Sequence, residues 1–291
     1  MSALSESATV YRVVQIGVEA QASLAASGGL AHPVTGLEKT GYFLAAGRIL
    51  FAGDNPDLMH PRAVLLGEAA GVGSLRFDLA PAHLWRSEPP RKIVTAGLAA
   101  RCRMMCAGLA RTETARGFGT LLFGRAPAIP FDLLANHAVT VADGCRRNDP
   151  GVVIAAGRRL LGVGIGLTPS GDDFTGAALF GRRILSPGGA WPRSWDEAGR
   201  ALAREVVVRS HTVSAALFAD LAAGRSFALL HALANALIED APPETILAAA
   251  RRLAVVGHSS GWDMLAGLVA GSTGILEQFQ DVMDGHERFI V

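Results

Sequence analysis

Apolar residues near the N-terminus occur in short runs separated by turn-forming residues, a pattern typical of β-strands. Segment 11–18 is rich in β-branched residues. Segment 41–56 contains two apolar runs with Gly47-Arg48 between them and ends in a Gly-Asp-Asn-Pro turn. Residues 63–66 form another strand candidate, and residues 76–79 a weaker one in which Arg76 and Asp78 would face water. We therefore predict the hairpins of a sandwich or a small barrel.

The spacing changes to a helical period after the Ser-Glu-Pro-Pro segment at 87–90. Apolar residues then recur about every 3.6 positions, as at Leu98, Cys102, Met105 and Leu109. Gly224 fits as the C-terminal cap of the longest helix. Helices are predicted at 95–116, 131–142, 151–161, 174–185, 196–223, 228–238, 244–256 and 264–279. The predicted fold class is α+β, with a β-rich, barrel- or sandwich-like N-terminal domain at 1–90 and a mainly α-helical domain at 91–291.

Composition narrows the classes of function. Half of the 291 residues are hydrophobic and 18 % are charged, which indicates either a partner-covered surface or a large Ala- and Gly-rich core. Lys and Arg number 27 against 26 Asp and Glu, so neither nucleic acid nor a membrane is expected as a partner. No apolar run reaches the ~18 residues of a membrane span, and the N-terminus lacks the pattern of a signal peptide. We expect a cytoplasmic protein.

The three cysteines are Cys102, Cys106 and Cys145. Cys102 and Cys106 lie four residues apart on one face of a predicted helix, so they could form half of a metal site. The other half is not visible in the sequence. We favour buried free thiols, which suit a reducing cytoplasm.

Glycine, hydroxyl and carboxylate residues concentrate between residues 162 and 176, before and at the start of a predicted helix. Gly162, Gly164 and Gly166 let the backbone turn tightly and approach a ligand. The N-terminus of a helix presents unpaired N–H groups and a partial positive charge, which suit a phosphate or a carboxylate. The predicted substrate-binding residues of this first junction are Gly164, Gly166, Thr168, Ser170, Gly171 and Asp172.

The first junction also has a purely structural interpretation. Ser170 and Asp173 fit the Ser-x-x-acid capping box of a helix N-terminus. The stretch is neither a P-loop, which would need a Lys and a final Ser or Thr, nor a dinucleotide-binding fingerprint. A capping box leaves the preceding glycines and hydroxyls unexplained.

A second junction lies at residues 255–268, where Ser260-Gly261-Trp262-Asp263 repeats the Ser-Gly-x-Asp pattern of 170–173. We interpret the two junctions as quasi-equivalent halves of one site, with both helix N-termini facing a shared ligand. His258 in this turn could act as a general acid or base, or simply hydrogen-bond to the turn. The predicted catalytic residues are Asp173, His258 and Asp263. Further predicted substrate-binding residues are Ser259, Ser260 and Gly261.

A polar run at 209–214 interrupts the apolar pattern of the long predicted helix. Such local inconsistencies are often functional sites. His211 and Ser214 lie three residues apart and would share one helical face. We predict that Ser214 binds substrate; the alternative is a solvated polar stripe.

Three carboxylates at the junctions raise the question of a metal. Asp172, Asp173 and Asp263 offer the hard oxygen ligands that Mg²⁺ prefers, usually with a substrate phosphate completing the shell. Their spacing does not establish a metal site. The sequence therefore establishes no cofactor, and Mg²⁺ is a candidate only.

The string Gly-Val-Gly-Ile-Gly-Leu-Thr-Pro-Ser-Gly-Asp-Asp-Phe at 162–174 resembles the signature of a bacterial family. Its named member is the AllH-type subunit of oxamate carbamoyltransferase, from anaerobic allantoin breakdown. Segments 212–217 and 257–263 are also similar to that family. This chain has His211-Thr212 where the family leads us to expect Thr-Thr. The resemblance implies a multi-subunit enzyme that moves a carbamoyl group between carbamoyl phosphate and oxamate, giving phosphate and oxalurate.

Three functions are compatible with these observations. We favour a transferase subunit that binds a small anionic substrate, carrying a phosphate or carboxylate, within a complex or a homo-oligomer. The alternative is a non-catalytic scaffold or anion-sensing subunit. A third interpretation is a small-molecule kinase, because the Gly-Leu-Thr-Pro-Ser-Gly stretch loosely resembles the phosphate loop of the GHMP kinases.

Overall fold

The computed structural model of the chain describes residues 10–36, 40–67, 74–185 and 191–276. Its contacts divide the chain into two compact units. The first unit comprises Met1–Glu88 and Ser226–Ala228, and the second comprises Pro89–Arg225 and Leu229–Val291. No helix within the described ranges combines the length and the apolar character that crossing a bilayer requires.

The first unit is a six-stranded barrel with one additional strand. The strand order is β5-β4-β3-β2-β6-β1, and the barrel closes because β1 also pairs with β5. The additional strand β7 pairs with β1 in parallel. The predicted α+β class, with an N-terminal barrel followed by a helical region, is confirmed. The strands are β1 (Val10–Gly17), β2 (Leu30–Gly36), β3 (Thr40–Ala45), β4 (Arg48–Gly53), β5 (Ala63–Leu66), β6 (Leu75–Asp78) and β7 (His83–Trp85).

The hairpin predicted in segment 41–56 is formed by β3 and β4. Ala45 pairs with Arg48, so the turn consists of Ala46 and Gly47, one residue earlier than predicted. Both turn residues have positive φ, 47° and 74°, as the tight turns that match strand twist require. On β6, Arg76 is exposed and its neighbours are buried, as the alternation predicted.

One helix of the first unit was not predicted. Helix α1 (Val18–Ala26) follows β1 directly and buries Ala20 and Leu24 in the barrel core, beside Ile16 and Leu50. Its short, alanine-rich sequence shows little helical periodicity, so the pattern of apolar residues does not mark it.

The second unit is helical, and most predicted helices are present with shifted ends. Helix α2 ends at Ala110 and not at residue 116, and the helix predicted at 131–142 begins with a 3₁₀ turn. The helices are α2 (Leu98–Ala110), α3 (Ala135–Arg146), α4 (Pro150–Leu160), α5 (Ser170–Ile184), α6 (Arg193–Arg209), α7 (Thr212–Ala222), α8 (Ala228–Ile238), α9 (Pro243–Ala254) and α10 (Ser260–Thr273), with 3₁₀ segments at Gly117–Phe123 and Phe131–Leu134.

The prediction of a single long helix at 196–223 is wrong. Helix α6 ends at Arg209, Ser210 has an extended backbone, and α7 begins at Thr212. The carbonyl oxygen of Arg209 packs against Gly162, and the Ser210 hydroxyl donates to Asp172. These contacts from distant parts of the chain stabilise the break between the two helices, which no nearby Gly or Pro indicates.

Helices α5 and α10 form the centre of the helical unit. Every residue of α5 from Ser170 to Gly181 is buried, and so is every residue of α10 from Gly261 to Gly271. A Cβ added at Gly271 would lie 1.9 Å from the carbonyl oxygen of Ala178, so the two backbones touch. Gly267 packs in the same way four residues earlier, against Phe174, which shows that the two helices run in the same direction.

The cysteines are buried free thiols, as predicted. Burial raises the pKa of Cys102, Cys106 and Cys145 to about 12 in each case. They therefore remain protonated at neutral pH and pack as small apolar side chains.

Candidate functional site

The first junction brings the start of α5 against the end of α4. Gly171 lies so close to α4 that an added Cβ would be 1.8 Å from the carbonyl oxygen of Leu160. The N–H of Gly171 donates to the carbonyl of Val163 at 2.9 Å. This contact occupies an N–H group that we predicted to be open to an anion.

The second junction repeats this geometry between α9 and α10. A Cβ at Gly261 would lie 1.9 Å from the carbonyl oxygen of Leu253, and the Gly261 N–H donates to Val256 at 3.0 Å. In both junctions the accepting carbonyl lies three residues after the carbonyl that the glycine packs against. The repeated Ser-Gly-x-Asp sequence thus corresponds to a repeated structure.

The hydroxyl groups of the two junctions meet each other. The Ser170 hydroxyl lies 3.1 Å from that of Ser259, and the Thr168 hydroxyl lies 3.0 Å from that of Ser260. Ser170 is buried and the other three are half-buried. We refer to Thr168, Ser170, Ser259 and Ser260 as the hydroxyl cluster, which joins the N-termini of α5 and α10.

The alternative interpretation of Ser170 and Asp173 as a capping box does not hold. The residue before α5 is Pro169, and no side chain caps the helix. Helix α5 starts at Ser170 and not at residue 174, so both residues lie within its first turn. The Ser170 hydroxyl is directed to the second junction and not to its own helix.

Two buried carboxyl groups lie beside the hydroxyl cluster. Asp173 and Asp263 are only 5 % and 0 % exposed. Burial, and then the neighbouring Asp263 carboxyl, raise the pKa of Asp173 well above its usual value; the hydroxyls of Ser260 and Thr168 oppose this shift. Burial also raises the pKa of Asp263 to about 7, against the lowering effect of Ser170, Phe118 and Ser259. The pair therefore retains at least one proton at neutral pH.

The hydrogen bonding of the two carboxyls is incomplete. The backbone N–H of Phe118 donates to Oδ1 of Asp263 at 2.7 Å. Within the described part of the chain, Oδ2 of Asp173 and Oδ2 of Asp263 are buried without a hydrogen-bond partner. Unsatisfied buried carboxyl oxygens are costly, so they indicate a functional position or a bound molecule.

Asp172 belongs to a different network. Its Oδ1 accepts from the N–H of Gly162 at 2.8 Å, and its Oδ2 accepts from the hydroxyls of Ser210 at 2.5 Å and Ser214 at 2.6 Å. Asp172 and Ser214 are therefore engaged with each other, although we predicted that both bind substrate. Their hydrogen bonds tie the glycine loop to the break between α6 and α7.

Of the three carboxylates considered for Mg²⁺, Asp172 is engaged in this separate network. Among the residues that the structure describes, no group of three or more His, Cys, Asp or Glu side chains is placed to hold a metal ion.

Replacing Asp172 by alanine is expected to lower the free energy of unfolding by about 2 kcal/mol, because it leaves the donors of Gly162 and Ser214 unpaired. Urea unfolding followed by circular dichroism measures the effect. The milder variant Ser210→Ala removes one half-buried donor and should cost less than Asp172→Ala. Equal stability of Asp172→Ala and the wild type would contradict the assigned network.

A third segment contacts the site and was missed by the sequence analysis. A Cβ on Gly117 would lie 2.2 Å from Oδ1 of Asp263, so only glycine allows this approach. The exposed Arg116 donates from Nη1 to the carbonyl of His258 at 3.2 Å. The one local signal is the Gly-Phe-Gly sequence at 117–119, which does not reveal a partner about 145 residues away.

The remaining predicted residues occupy the outer part of the junctions. His258 is exposed in the turn before α10. Gly164 packs over the start of α5, since its added Cβ would lie 2.6 Å from the Ser170 nitrogen, whereas Gly166 is exposed. His211 is exposed at the N-terminus of α7 and makes no side-chain capping hydrogen bond.

The arrangement offers two kinds of chemistry. Two parallel helix N-termini give a positive partial charge, and the hydroxyl cluster supplies hydrogen-bond donors; both suit an anion. The paired carboxyls, one with a pKa of about 7, suit proton transfer near neutral pH. Side-chain hydroxyls take the place of the open backbone N–H groups that the sequence predicted.

Comparison with known proteins supports one family. No curated protein and no solved structure matches the chain. The matching family model is AllH, described as oxamate carbamoyltransferase subunit AllH. Residues 160–272 match it, from the end of α4 to the end of α10, and this segment contains every residue of the two junctions. The resemblance inferred from the signature at 162–174 is thereby confirmed: over this segment the chain is similar to the AllH family of oxamate carbamoyltransferase subunits.

Proposed function

We propose that this chain is a subunit of a carbamoyltransferase of the oxamate type, and that the hydroxyl cluster with Asp173 and Asp263 binds an anionic substrate. The observation that carries the proposal is the buried carboxyl pair with incomplete hydrogen bonding at two joined helix N-termini. Burying such groups costs stability, and perturbed carboxyls of this kind cluster at functional sites. The family match supports the class of reaction.

The proposed site suits the electrostatics of this reaction. The amide nitrogen of oxamate attacks the carbamoyl carbon and loses a proton, while the bond from that carbon to the phosphate oxygen breaks. Substrate and leaving group are anionic, so hydroxyl donors and helix dipoles stabilise them. In this proposal Asp263 accepts the proton, since burial raises its pKa to about 7. His258 in the exposed turn is the second proposed proton-transfer group.

Thermal unfolding with added ligands tests the proposal. Carbamoyl phosphate or phosphate at a hundred times its dissociation constant should add about 2.7 kcal/mol of stability, a shift of a few degrees. Oxamate and ATP are tested alongside, each with and without Mg²⁺. We expect Asp173→Asn to remove the shift, because the amide changes the hydrogen bonding between position 173 and the hydroxyls of Ser260 and Thr168.

Asp132→Asn is the matched control, since Asp132 is an exposed carboxylate of the same helical unit. An equal shift in wild type and Asp173→Asn would refute the assigned site. A shift with ATP and Mg²⁺ alone would favour the kinase interpretation. No shift with any ligand would favour a scaffold subunit.

A further inference from the structure

A second region with binding character lies between α4 and α6, away from the hydroxyl cluster. It is a cavity of about 460 Å³ that is open to solvent, and its lining residue Val208 is 85 % exposed. No residue of the cavity belongs to the proposed site. The cavity is lined by Arg158, Ala201, Arg204, Glu205, Val208 and Arg209.

The charges in the cavity are unbalanced, because three guanidinium groups face a single carboxylate. Oε1 of Glu205 lies 2.5 Å from Nε of Arg158, whereas its Oε2 makes only a longer ion pair with Nη2 of Arg209, at 3.4 Å and without a hydrogen bond. Nη1 of Arg209 also donates to the carbonyl of Arg158 at 2.8 Å. Arg204 makes no ion pair with any residue of the described ranges.

These contacts hold the guanidiniums of Arg158 and Arg209 and still leave them available. The side chains of Arg158 and Arg209 are each 49 % exposed, so both can contact solutes while Glu205 orients Arg158 and the Arg158 carbonyl orients Arg209. Planar guanidiniums recognise phosphate and carboxylate groups through paired hydrogen bonds. Holding such side chains in place beforehand lowers the entropy lost on binding.

We propose that this arginine cavity is a second anion site, which binds a small molecule carrying two or more anionic groups. The excess of positive charge among its lining side chains favours a compact polyanion. Next to the cavity Val207 is 68 % exposed, so a protein partner is the competing occupant.

The cavity adjoins the first junction through α6. The carbonyl of Arg209 packs against Gly162, and Ser210 bonds to Asp172. A ligand held by Arg209 therefore contacts the helix end that supports the glycine loop. The inference does not depend on the proposed transferase function.

Isothermal titration of inorganic pyrophosphate into the Asp173→Asn variant tests the proposal at low salt. In the proposed function this variant no longer binds an anion at the hydroxyl cluster, and the effect of Arg204→Ala assigns the binding to the arginine cavity whether or not that proposal holds. We expect saturable binding that weakens as salt is added. Arg204→Ala should weaken it about tenfold or more, because one charge-assisted contact is lost. Citrate in place of pyrophosphate distinguishes a polycarboxylate from a phosphate ligand.

Arg159→Ala is the matched control. Arg159 is exposed on α4 beside Arg158 but does not line the cavity, so its loss should change affinity by no more than about twofold. Absent binding of both pyrophosphate and citrate would overturn the proposal, as would equal affinity of Arg204→Ala and its parent; either result would point to a protein partner instead.

Discussion

Replacing Gly261 by alanine is expected to lower the free energy of unfolding of the helical unit by about 4 kcal/mol or more. The added Cβ would lie 1.9 Å from the carbonyl oxygen of Leu253, and Gly171 stands in the same relation to Leu160. The clashing atoms belong to the backbone, so rotation of a side chain cannot relieve the contact. Relief would require α10 to move away from α9, which would disturb its packing along α5.

Urea unfolding followed by circular dichroism measures this loss. Gly151→Ala in the first turn of α4 is the matched control, because Gly151 is exposed and its added Cβ would meet only the side chain of Asp149, at 3.2 Å. That variant should remain within about 1 kcal/mol of the wild type. A Gly261→Ala protein as stable as this control would show that the close packing of the second junction is not required for folding.

The stability of the protein should fall as pH rises from about 4 to 7, relative to the variant Asp263→Asn. Below pH 4 the Asp263 carboxyl is protonated in both the folded and the unfolded chain. Between pH 4 and 7 the unfolded chain releases this proton, whereas the folded chain retains it, because burial raises the folded pKa from 3.8 to about 7. This rise in the pKa of Asp263 corresponds to a difference in the free energy of unfolding on the order of 4 kcal/mol.

Asn at position 263 keeps the oxygen that accepts from Phe118 and has no proton to lose in this range. Chemical unfolding of wild type and variant at pH 4, 5, 6, 7 and 8 gives the difference directly. Asp132→Asn, at an exposed position, shows how much of the slope comes from general charge effects. A wild-type curve parallel to that of Asp263→Asn would mean that Asp263 is ionised in the fold.

The sequence predicted those parts of the structure that depend on residues close together in the chain. The Ser-Gly-x-Asp repeat is visible because each junction needs a glycine where a preceding carbonyl touches the helix, as at Gly171 and Gly261. The β3–β4 hairpin is visible for a similar reason, since its turn needs positive φ at Gly47. In both cases the backbone geometry restricts the residue type directly.

Features fixed by distant partners could not be predicted in this way. The polar run at 209–214 contains no Gly or Pro, so it did not indicate a helix break, which depends on Asp172, 38 residues before Ser210. Nothing near Gly117 indicates that it packs against Asp263, although Phe118 donates to that carboxyl across 145 residues. The capping box failed for the same reason, because the Ser170 hydroxyl found a partner in the other junction.

The parallel pairing of α5 and α10 has a consequence for synthesis of the protein. Helix α5 is buried along its length from Ser170, yet the helix that covers it begins about 90 residues later, at Ser260. At translation rates of about 5–20 residues per second, a nascent chain carries α5 without its partner α10 for about 5 to 20 s. During that interval the growing chain is exposed to aggregation, and ribosome-associated chaperones have time to bind it.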